Sequence, residues 1–302
     1  MNGYTERDCP SCNTASSSAR LVARSTPPAE ELEFTQLREY WRGFKKDSIF
    51  FSYYRCPGCR LLYSPIYFSK DQLSSLYSHM GDNSMGEDLE VLKSMQISYF
   101  STLENRVNIF GHWIEIGADV GLFAALLAAR REVSSLTIIE PNQNSHKRLK
   151  LLVKGDGVLE SSWAEINQVV RFDGLVGVHV LDHLVDLKSE LRTIHNFLRI
   201  GGSVFFVTHD ESSLLRRLML SKWPPFCLQH PQIFSQQSIA NTLRIAGFRA
   251  VRTQKSSNFF NLRHIFLVVF SLFGLKTVSL KLVPKLTLKI RLGNFMTLAF
   301  RS

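Results

Sequence analysis

The fold of this chain is decided by residues 113–130, WIEIGADVGLFAALLAAR. The apolar run that opens this stretch is typical of a buried parallel strand. Gly117 and Gly121 then predict a turn, and the strong helix formers from Leu122 to Ala129 predict a helix. This order places the free N–H groups of the helix N-terminus in the crevice beyond the sheet. We therefore expect a small ligand to bind there.

Four further stretches continue the alternation of strands and crossovers. Leu136-Thr-Ile-Ile-Glu140 predicts a second strand that ends in a carboxylate suited to hydrogen-bond two ribose hydroxyls. Gly157–Trp163 is the candidate for strand three, and Phe172–His183 predicts a fourth strand that ends in Asp182 and His183. Leu198–Val207 predicts a glycine turn that enters a fifth strand. The predicted class is α/β with a parallel sheet.

These features together resemble the class I S-adenosylmethionine (SAM) dependent methyltransferases. In that family a turn E-x-G-x-G-x-G, an acidic end to strand two, a strand four of the type FDxI…vLEH and a turn LKPGG occur in this order. The resemblance covers roughly residues 105–302 and implies a Rossmann-like, seven-stranded sheet. Its sixth and seventh strands would lie near Ala250–Gln254 and Phe295–Phe300.

The resemblance also implies SAM as the cofactor. The residues at the family's cofactor-binding positions are Glu115, Gly117, Asp119, Gly121, Glu140, Ser162, Trp163 and Asp182. Ser162 and Trp163 would lie against the adenine, although the register there can slip by one or two residues and Trp163 can equally be a core residue. Tyr99 and Phe100, on the helix predicted before the core domain, would approach SAM or simply pack.

Asp119 departs from the family's pattern, because it replaces the middle glycine of the turn. Aspartate tolerates a left-handed backbone better than most residues, so the turn can be retained. The carboxylate can attract the cationic sulfonium of SAM, or it can crowd the methionine moiety and leave a degenerate site. We expect cofactor binding to be retained.

A separate module is predicted at residues 1–80, because two C-x-x-C motifs occur there, Cys9–Cys12 and Cys56–Cys59. Each motif places two thiolates on a tight turn, and four sulfurs suit tetrahedral Zn²⁺. A disulfide pair and unrelated thiols are the alternatives. The fifth cysteine, Cys227, is interpreted as a small buried hydrophobe.

The segment after the second motif is similar to the lead-in of a bacterial methyltransferase subgroup that carries an N-terminal zinc-binding module. The matching stretches are Tyr54–Pro65 and Leu73–Tyr77, with Arg60 in place of the usual glycine. The resemblance implies methylation of sugars, surface glycans or other secondary metabolites. Four cysteines leave no open metal position, so the zinc would be structural. A linker and leading helix would occupy residues 81–104, and the methyltransferase domain residues 105–302.

Methyl transfer from a sulfonium to a hydroxyl needs alignment and a base. Histidine titrates near neutrality, and three candidates follow predicted strands or a resemblance motif: His183, His209 and His230. We choose His183 and His230 as catalytic residues. A structural hydrogen bond is the alternative for each, and a mechanism without a dedicated base stays open.

The net charge of +10 is unevenly distributed. Residues 212–302 contain fourteen Lys and Arg and no Asp or Glu, a split that favours an anionic partner over a merely solvated face. Within this region an apolar helix is predicted at Phe259–Leu275 and a strand-like alternation at Val278–Leu292. The insertion near 258–293 would contact an anionic membrane surface or a lipid-linked sugar acceptor, or act as a lid or dimer contact.

The N-terminus lacks an apolar signal region, and the longest apolar run, residues 265–275, is too short to span a bilayer. We therefore predict a cytoplasmic protein, peripheral at the inner membrane surface if the basic region binds lipid. The predicted function is SAM-dependent methylation of a hydroxyl on a sugar, glycan intermediate or similar small molecule. The rivals are an RNA methyltransferase, disfavoured because no clustered aromatic and basic motif is present, and a non-catalytic scaffold.

Overall fold

The computed structural model describes residues 3–41, 49–78, 89–167, 169–261, 287–291 and 293–302. The N-terminal part contains two helices and five short strands: β1 (Thr5–Glu6), β2 (Arg20–Ala23), α1 (Phe34–Tyr40), β3 (Tyr53–Arg55), β4 (Leu62–Tyr63), β5 (Ile66–Tyr67) and α2 (Lys70–Ser78). Helix α1 lies in the stretch between the two cysteine motifs.

In the rest of the described chain, helices and strands mostly alternate. They are α3 (Leu89–Glu104), β6 (Gly111–Ile116), α4 (Leu122–Ala128), β7 (Val133–Ile139), α5 (His146–Leu149), β8 (Leu159–Glu160), β9 (Phe172–Val178), α6 (Leu187–Phe197), β10 (Leu198–His209), α7 (Leu214–Met219), β11 (Gln232–Ile233), α8 (Gln236–Ile245), β12 (Phe248–Lys255), β13 (Asn258–Asn261), β14 (Thr287–Ile290) and β15 (Asn294–Arg301).

Seven strands form one sheet in the order β12-β15-β10-β9-β6-β7-β8. The strands β8, β7, β6, β9 and β10 are parallel, whereas β15 runs antiparallel to both β10 and β12. The prediction of an α/β, Rossmann-like, seven-stranded sheet is confirmed, including its strands six and seven, which are β12 and β15. The third strand, β8, is confirmed but is only two residues long.

Successive side chains on the central strands point to opposite faces, and each face has its own core. Ile114 and Leu175 pack with the apolar side of α6, whereas Trp113 and Val176 pack with α4. Gly174 is needed where it is, because a Cβ there would lie 2.4 Å from the Trp113 ring. Both faces of the sheet are therefore covered, and its carboxyl-terminal edge stays available for a ligand.

The N-terminal part is joined to the large domain through a shared sheet. Its order is β11-β4-β3-β2, so β11, which follows α7 in the chain, pairs with β4 from the N-terminal part. Half-buried Arg7 donates to the carbonyl oxygens of Ser64, Val185 and Pro231. The predicted domain limits stay a prediction, and the linker at residues 81–86 lies outside the described residues.

The predicted helix at Phe259–Leu275 is wrong at its start, because Asn258–Asn261 is a strand that pairs antiparallel with Thr287–Ile290. Adjacent phenylalanines favour a strand when a partner strand with β-branched residues is available, as Thr287–Ile290 is here. This pairing outweighs the local helix propensity. Residues 262–286 lie outside the described residues. In the parts of the chain that the structure describes, no helix is both long and apolar enough to cross a membrane.

Candidate cofactor crevice, histidine cluster and metal site

The turn between β6 and α4 has a left-handed backbone at every second residue. The φ angles are 65° at Gly117, 49° at Asp119 and 78° at Gly121. A Cβ at Gly117 would lie 2.6 Å from a methyl of Val180, and one at Gly121 would lie 2.6 Å from a methyl of Leu152. The expectation that Asp119 tolerates the turn is confirmed, because its backbone occupies the region that aspartate enters more readily than most residues.

Glu140 follows β7 directly and holds the turn in place. One carboxylate oxygen accepts from the Asp119 N–H at 2.8 Å, and the other accepts from the Asn142 N–H at 2.8 Å. The residue is 7% exposed. Each carboxylate oxygen has a second lone pair, so Glu140 can still accept from the two hydroxyls of a ribose.

Glu115 is the second-last residue of β6, just before the glycine turn, and it is buried. Its Oε2 has no hydrogen-bond partner among the described residues. Burial, reinforced by the nearby charge of Glu140, raises the pKa of Glu115 well above its usual range. A buried carboxyl in this state is stabilised by a cationic or hydrogen-bond-donating ligand. The turn, Glu140 and Glu115 thus fit a cofactor that carries a ribose and positive charge, as SAM does.

The other predicted cofactor residues lie farther along the edge of the sheet. Ser162 donates to Glu165 at 2.9 Å, and the Trp163 ring stacks on Phe197 with centroids 5.4 Å apart. The Trp163 contact supports the core alternative, and its assignment to the adenine stays a prediction. Tyr99 and Phe100 are buried in the core on the α4 side of the sheet.

Asp182 follows β9 and is fully buried. Its Oδ2 accepts from the His209 N–H at 3.3 Å, whereas its Oδ1 has no hydrogen-bond partner among the described residues. Burial raises the pKa of Asp182 to about 8. The side chain is therefore largely a neutral carboxylic acid at neutral pH, able to donate a hydrogen bond as well as accept one.

The predicted bases His183 and His230 are brought together. Their rings meet edge to face with centroids 4.6 Å apart. His230 Nδ1 lies 2.7 Å from the Pro225 carbonyl oxygen, so this nitrogen carries the proton and Nε2 keeps the lone pair. Burial lowers the pKa of His230 to about 4, and burial with the neighbouring imidazoles lowers the pKa of His183 well below its usual range. Both rings are neutral at neutral pH.

Two more imidazoles complete this cluster: His209, which sequence analysis named as a candidate but did not choose, and His179, which it missed. His179 stacks on His209 with centroids 4.4 Å apart, and the His209 centroid is 5.2 Å from that of His230. Asn294, on β15, contacts His209 at 3.0 Å and His179 at 3.4 Å. Ligand atoms of His179, Asp182 and His209 lie within 4.8 Å of one another. His179 was missed because the predicted fourth strand extended to His183, which hid the fact that β9 ends at Val178.

The four cysteines of the two motifs converge as predicted. Their sulfurs all lie within 4.8 Å of one another, with Cys9 to Cys59 and Cys12 to Cys56 both at 3.4 Å. Tetrahedral zinc with Zn–S bonds of about 2.3 Å separates its sulfurs by about 3.8 Å, so the thiols need only small shifts to hold Zn²⁺. None of the five cysteines forms a disulfide.

The cysteine cluster is packed against the large domain. Asn241, on α8, donates to the Cys59 carbonyl oxygen at 3.2 Å, and Ser11 donates to Thr242 at 3.0 Å. Cys9, Cys56 and Cys59 belong to the same apolar cluster as residues of α8 and β9. The two parts of the chain therefore support each other, and a metal held by the cysteines would stabilise both.

Comparison with known proteins identifies the family. A sequence profile described as a methyltransferase domain matches residues 90–253, more than half of the chain. The chain therefore belongs to this methyltransferase family, and its fold is that of SAM-dependent methyltransferases. No curated protein matches the chain at a significant level.

Solved structures with similar folds are distant in sequence. A SAM-dependent methyltransferase from Thermotoga maritima is 15% identical with a TM-score of 0.47, covering 70% of this chain and 92% of its own. One from Archaeoglobus fulgidus is 14% identical with a TM-score of 0.49, covering 73% and 97%. Magnesium protoporphyrin IX methyltransferase from Synechocystis, with bound SAH, is 13% identical with a TM-score of 0.44, covering 70% and 84%.

Proposed function

We propose that this protein is a SAM-dependent O-methyltransferase whose acceptor is a hydroxyl of a sugar, glycan intermediate or similar small molecule. The observation that carries the proposal is the cluster of closely packed, neutral imidazoles at the carboxyl ends of β9 and β10. A neutral imidazole can accept a proton from a hydroxyl, whereas an imidazolium cannot. The cluster follows strands whose carboxyl ends face the crevice beyond the glycine turn, where an acceptor would meet the cofactor.

The residues would divide the work as follows. Glu140 would bind the ribose hydroxyls and Glu115 would face positive charge, so that SAM supplies an activated methyl group at a fixed position. His183 or His230 would accept the hydroxyl proton. The proximity of four imidazoles disfavours a long-lived cation, so the proton would pass on to solvent. Most of the rate gain would come from alignment, because a base with a low pKa contributes modestly.

We further propose that Cys9, Cys12, Cys56 and Cys59 bind a structural Zn²⁺. The convergence of the four sulfurs supports this proposal. Four thiolates fill a tetrahedral coordination sphere, so no position is left for a substrate. The metal would fix the N-terminal part against α8 and would take no part in methyl transfer.

Calorimetric titration of the zinc-loaded protein with SAM, and with its demethylated product, tests the cofactor site first. We expect binding in the micromolar range that weakens roughly tenfold to a hundredfold in Glu140→Ala. Incubation with labelled SAM and a panel of sugars and glycan intermediates then tests the acceptor, with His183→Gln and His230→Gln compared at equal SAM occupancy. Absence of SAM binding in folded protein would overturn the enzyme proposal and favour a scaffold, whereas methylated nitrogen or carbon in the product would overturn the O-specific part.

A further inference from the structure

A cleft of about 630 Å³ lies between the N-terminal sheet and the segment that follows β10. The N-terminal part contributes residues of β2, β3 and the second cysteine motif, and the large domain contributes α7 and the start of α8. Five of the lining residues are arginines, and Glu211 is the only carboxylate among them in the described part of the chain: Arg20, Arg55, Arg60, Arg216 and Arg217. The cleft therefore carries a strong excess of positive charge.

Glu211 neutralises one arginine and orients it. Both carboxylate oxygens of Glu211 accept from Arg55, one of them at 2.8 Å from Nη2. Arg55 also donates to the Arg60 carbonyl oxygen at 2.9 Å. Because Glu211 is 7% exposed, this pair is shielded from solvent and is held more firmly than an ion pair on an open surface. Four guanidinium groups are left without a carboxylate inside the cleft.

Arg216 carries the observation that points most directly to an anionic ligand. Its Nε is buried and has no hydrogen-bond partner among the described residues. Its guanidinium carbon lies 5.4 Å from the centre of the Phe226 ring. Burial lowers the pKa of Arg216; the charge of Glu211 opposes this shift, and the positive charges of Arg55 and Arg217 add to it. A buried donor beside other cations is stabilised by an anion with several acceptor oxygens.

We propose that this arginine cleft binds the phosphate group of a phosphorylated ligand. Guanidinium forks match the oxygen geometry of phosphate and can contact it bidentately, which explains why arginines rather than lysines line the cleft. The side-chain amides of Gln236 and Gln237 add neutral donors at the same wall. The ligand is either a soluble phosphate ester or a phospholipid headgroup, since both present the same group.

The position of the cleft suggests its role. Glu211 is two residues beyond His209 in the chain, so their Cα atoms are at most about 7.6 Å apart. The wall of the cleft at Glu211 therefore belongs to the same segment as His209, one member of the histidine cluster. In this role, which rests on the proposed function, the cleft would anchor a phosphorylated acceptor while its hydroxyl is methylated. Phosphate binding itself does not depend on that function.

The test compares the double variant Arg216→Gln/Arg217→Gln with Arg244→Gln, an exposed arginine on α8 outside the cleft. Each full-length, zinc-loaded protein is titrated calorimetrically with inorganic pyrophosphate, and separately sedimented with vesicles of phosphatidylcholine and phosphatidylglycerol. We expect the double variant to bind about tenfold to a hundredfold more weakly, and Arg244→Gln to bind as wild type does. Binding should also weaken as salt is raised.

The two probes distinguish the source of the phosphate. Loss of pyrophosphate binding in the double variant with no change in vesicle binding identifies a soluble ligand, whereas loss of vesicle binding, with or without loss of pyrophosphate binding, identifies a lipid headgroup. If neither probe binds wild type, or if both variants bind alike, the proposal is overturned. SAM titration of the same samples keeps this result separate from the proposed function. Phosphate binding by a protein that fails to bind SAM would support the cleft proposal and overturn the enzyme proposal.

Discussion

The cysteine motifs and the cofactor crevice are both built on turns with a left-handed residue that is not glycine. Asn13 and Arg60, each directly after a cysteine motif, have φ angles of 59° and 69°, and Asp119 in the crevice has a φ angle of 49°. The two regions differ in how their functional groups are held. In the motifs, four sulfurs of the same kind face one another, whereas the crevice gathers unlike groups from the ends of parallel strands.

This difference teaches where the stability of each region comes from. Four thiolates at close range would repel one another, so a bound cation would stabilise the deprotonated cysteine cluster. The crevice is held by the sheet and by hydrogen bonds within the chain, such as those from Asp119 and Asn142 to Glu140. We therefore expect changes in the cysteine cluster to affect folding and changes in the crevice to affect binding.

The largest effect is expected from Cys56→Ser. Structural zinc contributes on the order of 10 kcal/mol in small metal-binding peptides, so loss of one thiolate should cost several kcal/mol and the bound metal. Elemental analysis and thermal unfolding measure both quantities, and Cys227→Ala is the matched control because Cys227 is buried outside the cluster. Wild-type protein purified without chelator that holds well under one equivalent of zinc would contradict the zinc assignment.

Glu140→Ala should have the next largest effect and should separate binding from folding. Loss of charged hydrogen bonds to a ligand costs about 1.5–3 kcal/mol, or roughly tenfold to a hundredfold in the dissociation constant for SAM. Glu132→Ala is the control, because Glu132 is an exposed glutamate directly before β7, at the opposite end of that strand from Glu140. Equal losses of SAM affinity in both variants would show that Glu140 has no specific role.

The pH dependence of stability should report on the histidine cluster. His179 and His230 have pKa values lowered to about 4 by burial, so the folded protein excludes protons that the unfolded chain binds below about pH 6.5. Their contribution to stability is complete above pH 6.5 and is lost as the pH falls towards 4. The raised pKa values of Glu115 and Asp182 act in the opposite direction, so the contribution of one histidine is isolated by comparing wild type with a variant.

Urea unfolding of wild type and His230→Gln between pH 6.5 and pH 5 measures this contribution. We expect the slope of unfolding free energy against pH to be smaller in the variant by about one proton, or about 1.4 kcal/mol per pH unit. Acid loss of zinc affects both proteins equally and cancels in the difference. Parallel slopes would show that His230 is not buried in neutral form.

The smallest effect is expected from Asp119→Gly. The aspartate already has the backbone conformation that the turn requires. The group that donates to Glu140 is the backbone N–H of residue 119, which glycine also has. We expect the SAM dissociation constant to change by less than about threefold, or roughly 0.6 kcal/mol. A large gain of SAM affinity, measured by calorimetry, would instead identify Asp119 as a lesion in the cofactor site.

Local patterns predicted much of the fold and part of the candidate site. The strand, turn and helix around Gly117 and Gly121 were predictable, because apolar runs and glycine positions depend on neighbours in the chain. The start of the predicted helix at Phe259 failed, because Thr287–Ile290 supplies a strand partner that a local window does not contain. The position of His179 failed for a smaller reason, a strand end placed five residues too late.

The sequence by itself determined the strand, turn and helix of residues 113–130, the acidic end of β7 and the two C-x-x-C motifs, since each is encoded by spacing within a short stretch, and the resemblance to methyltransferases implied the whole sheet. Only the tertiary structure decided that β11 completes the N-terminal sheet, that four histidines from separate segments meet, and that Arg20, Arg55 and Arg216 line one cleft. The physical reason is that such contacts join residues far apart in the chain, and their closeness is set by sheet topology and packing rather than by local preference.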